Sequence, residues 1–189
     1  MDKTLSVRLP NGRQVTFTYP YSQFMEAVCT SVFNGKEYPS MPFLEMKTIV
    51  DVGANIGCTA LLFAALYPAA TIYALEPASE AFGYLQRNTA NIRSIRNFHM
   101  GVYDKDATPT MHLGAQASVT NSIAANAMTG PRQETITLRR FSAFIQEQVA
   151  ALYPFGFQRC RQQRFGNGRQ LIFFSGCQHE LTFRVQQQY

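Results

Sequence analysis

Thr48-Ile49-Val50-Asp51-Val52-Gly53-Ala54-Asn55-Ile56-Gly57, followed at a distance by Glu76, is the stretch that decides the fold. Its first five residues are mostly apolar, as a strand covered on both faces of a parallel sheet must be. Gly53 and Gly57 mark a tight loop, and Cys58 to Leu66 is a helix-forming run. A second apolar run, Thr71 to Leu75, ends directly on the acidic Glu76. Such a β-loop-α-β unit puts the loop backbone and the acid at the carboxyl end of the sheet, where open α/β sheets hold ligands. A carboxylate at a strand tip accepts hydrogen bonds from both hydroxyls of a ribose, so the pattern predicts a nucleoside-cofactor site.

The glycines narrow the choice of nucleoside. A dinucleotide fold uses G-x-G-x-x-G so that backbone can approach a pyrophosphate resting on a helix N-terminus. Here Asn55 replaces the middle glycine and Asp51 sits just before the turn. A carboxylate and an amide facing the ligand repel or crowd a pyrophosphate, but suit one carrying an ammonium, a carboxylate and a sulfonium. Val50-Asp51-Val52-Gly53-Ala54-Asn55-Ile56-Gly57 resembles the first motif of class I S-adenosylmethionine (SAM)-dependent methyltransferases. With Leu75-Glu76-Pro77 after it, the wording is most similar to the FkbM family of that class.

The resemblance implies a Rossmann-like α/β sheet and SAM as cofactor. The residues it implies around SAM are Asp51, Gly53, Ala54, Asn55, Gly57, Glu76, Pro77 and Tyr103. Asp51 would meet the methionine end, Asn55 would stabilise the loop or reach the ligand, and Glu76 would bind the ribose. Tyr103, with Asp104, would border the adenine. The plain alternatives are an acid capping the turn at Asp51, a turn residue at Asn55, a surface acid at Glu76 and a simple loop at Tyr103 and Asp104. The implied reaction is methylation of a hydroxyl oxygen on a small molecule or sugar. Direct displacement at a sulfonium asks the protein mainly for alignment and help with a proton. A non-catalytic remnant that binds cofactor weakly is the alternative, and a nicotinamide enzyme is disfavoured by Asn55.

The resemblance covers about residues 40 to 147. A helix is expected from Ser79 to Asn91, with Ser79 as N-cap and Phe82, Leu85 and Thr89 at helical spacing. Asn97 to Val102 reads as the third strand, with His99 a structural histidine inside it. Thr110 to Leu113 and Glu134 to Leu138 are expected to form a small antiparallel excursion around a Ser/Thr/Asn/Gly/Ala-rich loop. Arg139 and Arg140 stand where the family usually has two acids. The strand ending in Leu-Lys-Ile-Asp-x-Glu-Gly, which the family has next, is missing. The helix Phe141 to Leu152 runs instead into a C-terminal β-hairpin spanning 155–176, with Gly166-Asn167-Gly168 as its turn. The expected sheet is thus shortened by its fourth and fifth strands. Its first strand would be left as an exposed edge, open to homo-oligomer formation, or paired to the final hairpin.

At 189 residues, 46% of them hydrophobic, the chain is long enough for one domain with a real core. Residues 1–40 read as an extension and 41–189 as the SAM-binding domain. In the extension, Leu5-Val7-Leu9 and Val15-Phe17-Tyr19 alternate around Pro10-Asn11-Gly12-Arg13, and a helix runs from Tyr21 to Phe33 before Asn34-Gly35. It would cover the cofactor, shape a substrate pocket, or pack on the sheet edge. Val52 to Leu75 carries no charge, yet Gly53, Asn55, Gly57 and Pro68 break it, so it is not a membrane span. The start, Met-Asp-Lys into an alternating strand, is not a signal peptide. Cysteines 29, 58, 160 and 177 show no C-x-x-C pair and no disulfide framework, which fits a reducing cytoplasm. The net charge of +5 lies wholly in residues 132–189, where eight arginines face three acids. No nucleic-acid module accompanies them, so Arg159, Arg161 and Arg169 read as faces of a solvated hairpin and nucleic acid is not an expected partner. His112 and His179 are isolated, no spacing suggests a metal, and no general base can be named.

Overall fold

The computed structural model describes residues 1–9, 11–34, 38 and 46–149, together with the backbones of three strands between 160 and 185. The alternating N-terminal runs form an antiparallel hairpin, β1 (Asp2–Arg8) with β2 (Gln14–Pro20), in which Leu5 lies opposite Phe17. Alternation buries Val15, Phe17 and Tyr19 on one side. Helix α1 (Gln23–Phe33) follows, and it starts after Tyr21 because the Ser22 hydroxyl accepts from the Met25 N–H.

The central unit is β3 (Met46–Val52), α2 (Cys58–Leu66), β4 (Thr71–Leu75), α3 (Ser79–Thr89) and β5 (Ile95–Phe98), with the three strands parallel. Period-two alternation splits their side chains between two cores. Ile49, Ile72 and Ala74 join α2 and the N-terminal hairpin, while Val50, Val52, Tyr73 and Leu75 meet Phe144, Ile145 and Val149. Cys58 to Ala65 are all buried, so α2 has no solvated face, which accounts for its uncharged sequence. Ser79 is not the N-cap of α3. Ala78 holds that position, and Glu134 from a later strand accepts the Ser79 N–H at 3.0 Å.

Beyond β5 the chain departs from expectation in several places. The third strand breaks after Phe98, where the Met100 N–H folds back to the Phe98 carbonyl, and resumes as β6 (Gly101–Tyr103). His99 lies in the break, exposed and stacked on Phe82 at 4.5 Å, rather than inside a strand. The excursion is β7 (Thr110–Gly114) antiparallel to β8 (Thr129–Thr135). It ends at Thr135, because Leu138 begins β9 (Leu138–Arg140), which runs parallel to β6. Arg139 meets Glu147 at 2.9 Å and Asp106 at 3.5 Å. The expected long helix is only one turn, α4 (Phe141–Phe144), widening into a π turn over Ile145–Val149. Residues 150–152 lie outside the described residues.

The C-terminal part has the expected antiparallel strand pair and one strand more: β10 (Cys160–Arg164), β11 (Gln170–Gly176) and β12 (His179–Val185). The Gly-Phe opening and Gly166-Asn167-Gly168, expected as the turn, lie outside the described residues; β10 and β11 pair antiparallel, Arg164 opposite Gln170. The unexpected β12 runs parallel to β3 and gives the order β10-β11-β12-β3-β4-β5. The first strand of the central unit is therefore an interior strand, not an exposed edge. The extension does not lie on a sheet edge either. Asn11 donates to the Ala65 carbonyl at 2.6 Å, and Asn88 of α3 brackets Thr18, so the hairpin rests on the outer side of α2 and α3. This packing also places the buried thiols of Cys29 and Cys58 3.1 Å apart, a pairing that sequence spacing did not predict. Among the described residues no helix is long and apolar enough to cross a membrane.

Candidate functional site

Chain reversal after β3 requires unusual backbone angles. Gly53 (φ +73°), Asn55 (φ +52°) and Gly57 (φ +95°) all occupy the left-handed region, which glycine enters freely and asparagine tolerates. Space matters as well at Gly57, where a Cβ would lie 3.0 Å from the Leu85 Cδ1. The loop's N–H groups all turn inward. Gly53 and Ala54 both donate to the Leu75 carbonyl at 2.9 Å, Asn55 donates to Glu76 Oε2 at 2.8 Å, Ile56 to the Asn55 Oδ1 at 2.9 Å, and Gly57 to the Ala54 carbonyl at 2.9 Å.

Glu76 is the other half of the site. Its Oε1 accepts the Ala78 N–H at 2.9 Å, so one carboxylate ties the glycine loop to the start of α3. Glu76 is 5% exposed, so it is not the surface acid of the plain alternative. Burial, against the opposing pull of the two N–H bonds and with like charge added by Asp51 and Glu134, raises its pKa to about 7. Asp51 is fully buried beneath the loop, on the α2 side of the sheet, close enough to raise both Glu76 and Cys58.

The structure therefore brings Asp51, Gly53, Ala54, Asn55, Gly57 and Glu76 together at the carboxyl ends of β3 and β4. Pro77 continues from Glu76 and is half-buried. Tyr103 stands at the end of β6 opposite Arg140, 47% exposed. One contact at the site has no sequence signal. Ser118, in a 3-10 turn between β7 and β8, donates its hydroxyl to Asn55 Oδ1 at 2.8 Å, bringing the excursion onto the glycine loop. A serine in a Ser/Thr-rich loop carries nothing that marks it out. The turn is tightly built, since a Cβ on Gly114 would lie 2.1 Å from the Ala117 carbonyl oxygen. His112 is joined to Gln133 at 3.1 Å, and among the described residues no three acids, cysteines or histidines cluster as metal ligands.

No known family profile matches the chain. It is similar to a protein of Beauveria bassiana (strain ARSEF 2860) named Methyltransferase 1, 35% identical over 86 residues, with 44% of this chain and 34% of that protein covered. The chain thus spans about a third of the length of the curated relative it matches. Among solved structures, M. jannaschii TYW2 in complex with AdoMet overlaps 44% of this chain and 38% of its own, at 20% identity and a TM-score of 0.34. A Haemonchus contortus phosphoethanolamine N-methyltransferase 1, in complex with phosphoethanolamine and S-adenosylhomocysteine, overlaps 80% of this chain and 37% of its own at 15% identity and a TM-score of 0.31. At such scores the fold stands on this chain's own strand order.

Proposed function

We propose that this chain is the SAM-binding part of an FkbM-type methyltransferase whose acceptor is a hydroxyl oxygen of a small molecule or sugar. The observation that carries the cofactor is the inward bonding of every amide from Gly53 to Gly57. In a dinucleotide fold the loop backbone also approaches the pyrophosphate, and here the loop's own N–H groups from Gly53 to Gly57 are all bonded within the protein. A nucleoside with a zwitterionic tail makes no such demand. In its ionised form Glu76 spends one acceptor site per oxygen on Asn55 and Ala78, and each oxygen keeps another for one hydroxyl of a ribose. With Glu76 only 5% exposed, binding requires its cover to move. The turn bearing Ser118 rests on the glycine loop through the Ser118–Asn55 bond, with Ala117 in the apolar core and Val119 packed against it. The 35% identity to a protein named Methyltransferase 1 supports the same class of reaction. SAM supplies the activated methyl group; the chain's own residues hold and orient its nucleoside end.

Calorimetric titration with SAM and with NAD tests the cofactor. Glu76→Ala is expected to weaken SAM at least roughly tenfold, since each charge-assisted bond is worth about 1.5–3 kcal/mol and 1.4 kcal/mol is about one decade. Tight NAD binding by the wild type, or unchanged SAM affinity in a folded Glu76→Ala chain, would overturn the assignment. A second reading, a cofactor-binding chain with little turnover, is favoured by β12, which lies beside β3 where a methyltransferase of this class places its fourth strand. Transfer of labelled methyl groups to hydroxylated acceptors by purified monomer separates the two.

A further inference from the structure

We propose that Cys29 and Cys58 form a disulfide under oxidising conditions, stapling α1 to the residue that opens α2 at the base of the glycine loop. The two sulfurs are already in contact at 3.1 Å, and both residues are buried, Cys29 at 0% and Cys58 at 7% exposure. Closing to the ~2.05 Å of a disulfide needs a movement of about 1 Å, within reach of side-chain rotation. Two buried thiols side by side also serve as small apolar fillers, and the experiment separates that role from a covalent one. Burial raises the Cys58 thiol well above its ordinary range, and Cys29 and Asp51 beside it push the same way. Thiolate is therefore scarce, and the pair acts as a slow structural staple rather than a fast sensor.

A hydroperoxide is a small enough oxidant. Cys58, the more exposed of the two, attacks one peroxide oxygen as thiolate, the O–O bond breaks, and the departing oxygen takes up a proton as water. The Cys29 sulfur then attacks the Cys58 sulfenic sulfur, the S–O bond breaks, and a second water leaves with the proton that Cys29 gives up. Two thiols lose two electrons in all, and one hydrogen peroxide becomes two waters. The bond closes a ring running from Cys29 to Cys58, joining the N-terminal extension to the α/β unit.

The test treats the full chain with hydrogen peroxide, maps its peptides without reductant, and follows Tm. A peptide linking Cys29 to Cys58 is expected, with Tm raised by roughly 7–15 °C for a ring of this size and a chain of this length. Dithiothreitol should reverse both. A Cys160→Ser/Cys177→Ser variant, which leaves only the pair, should behave the same way. Linkage of either residue to Cys160 or Cys177, a sulfinic acid at Cys58, or a crosslink that leaves Tm unmoved would overturn the proposal. None of these outcomes depends on which ligand the glycine loop holds.

Discussion

Glu76 is the residue where burial and hydrogen bonding pull in opposite directions. Two backbone N–H groups favour its ionised form, yet desolvation outweighs them and its pKa sits at about 7 instead of 4.5. The folded chain thus holds a proton that the unfolded chain releases. Its stabilising share is fully present below about pH 4.5 and is lost as pH rises through about 7, on the order of 3 kcal/mol across that window. Glu76→Gln removes this titration. Urea unfolding is therefore expected to show the wild type losing stability relative to the variant between about pH 4.5 and 7. Parallel pH profiles for the two would show that Glu76 does not carry the shift. The glycines, Asn55 and Glu76 were all legible in the sequence, because strand, turn and acid lie within one local unit. Ser118 and the Cys29–Cys58 contact were not, because nothing local specifies a partner so far away along the chain.

At the scale of elements, Asn88 fastens the N-terminal hairpin to the site. It accepts the Thr18 N–H at 2.7 Å and donates to the carbonyls of Thr18 at 2.9 Å and Ile56 at 2.8 Å. One side chain on α3 therefore joins β2 to the end of the glycine loop. Asn88→Ala leaves three backbone groups without their partner, at a cost of about 1–3 kcal/mol in urea unfolding. The Thr18 amide should exchange faster with solvent while the amides of β4 stay protected. Equal protection at Thr18 would mean that the hairpin is held by its apolar face alone. The boundaries that sequence misplaced follow the same logic. The start of α3 is set by Glu134 on another strand, and the third strand breaks where its continuation finds β9 as partner.

For the whole molecule, β12 decides what kind of sheet this is. It pairs with β3 from Glu180–Met46 to Val185–Val52, covering the flank that a shortened methyltransferase sheet would leave open. A chain ending before His179 should expose that flank of an apolar strand, whose unpaired backbone groups invite pairing with another copy. Light scattering is expected to show oligomers or aggregate for the truncated chain under conditions where the full chain is dispersed. A well-folded truncated monomer would show that β12 is dispensable to the sheet.

The α/β class, the hairpin, the glycine loop and the strand-tip acid were determined by the sequence alone. Each rests on short-range rules: alternation for β1 and β2, an uninterrupted apolar run for β3 and β4, and positive-φ residues where the chain must turn sharply. Leu181, Phe183 and Val185 alternate with polar residues as a strand's do, but a period of two does not name a neighbour. Only the tertiary structure decided that β12 lies against β3, that the extension rests on α2 and α3, that Ser118 reaches Asn55, and that two cysteines meet. Backbone pairing and apolar burial reward any partner that fits, so identity is settled by which surfaces remain once the local units have formed.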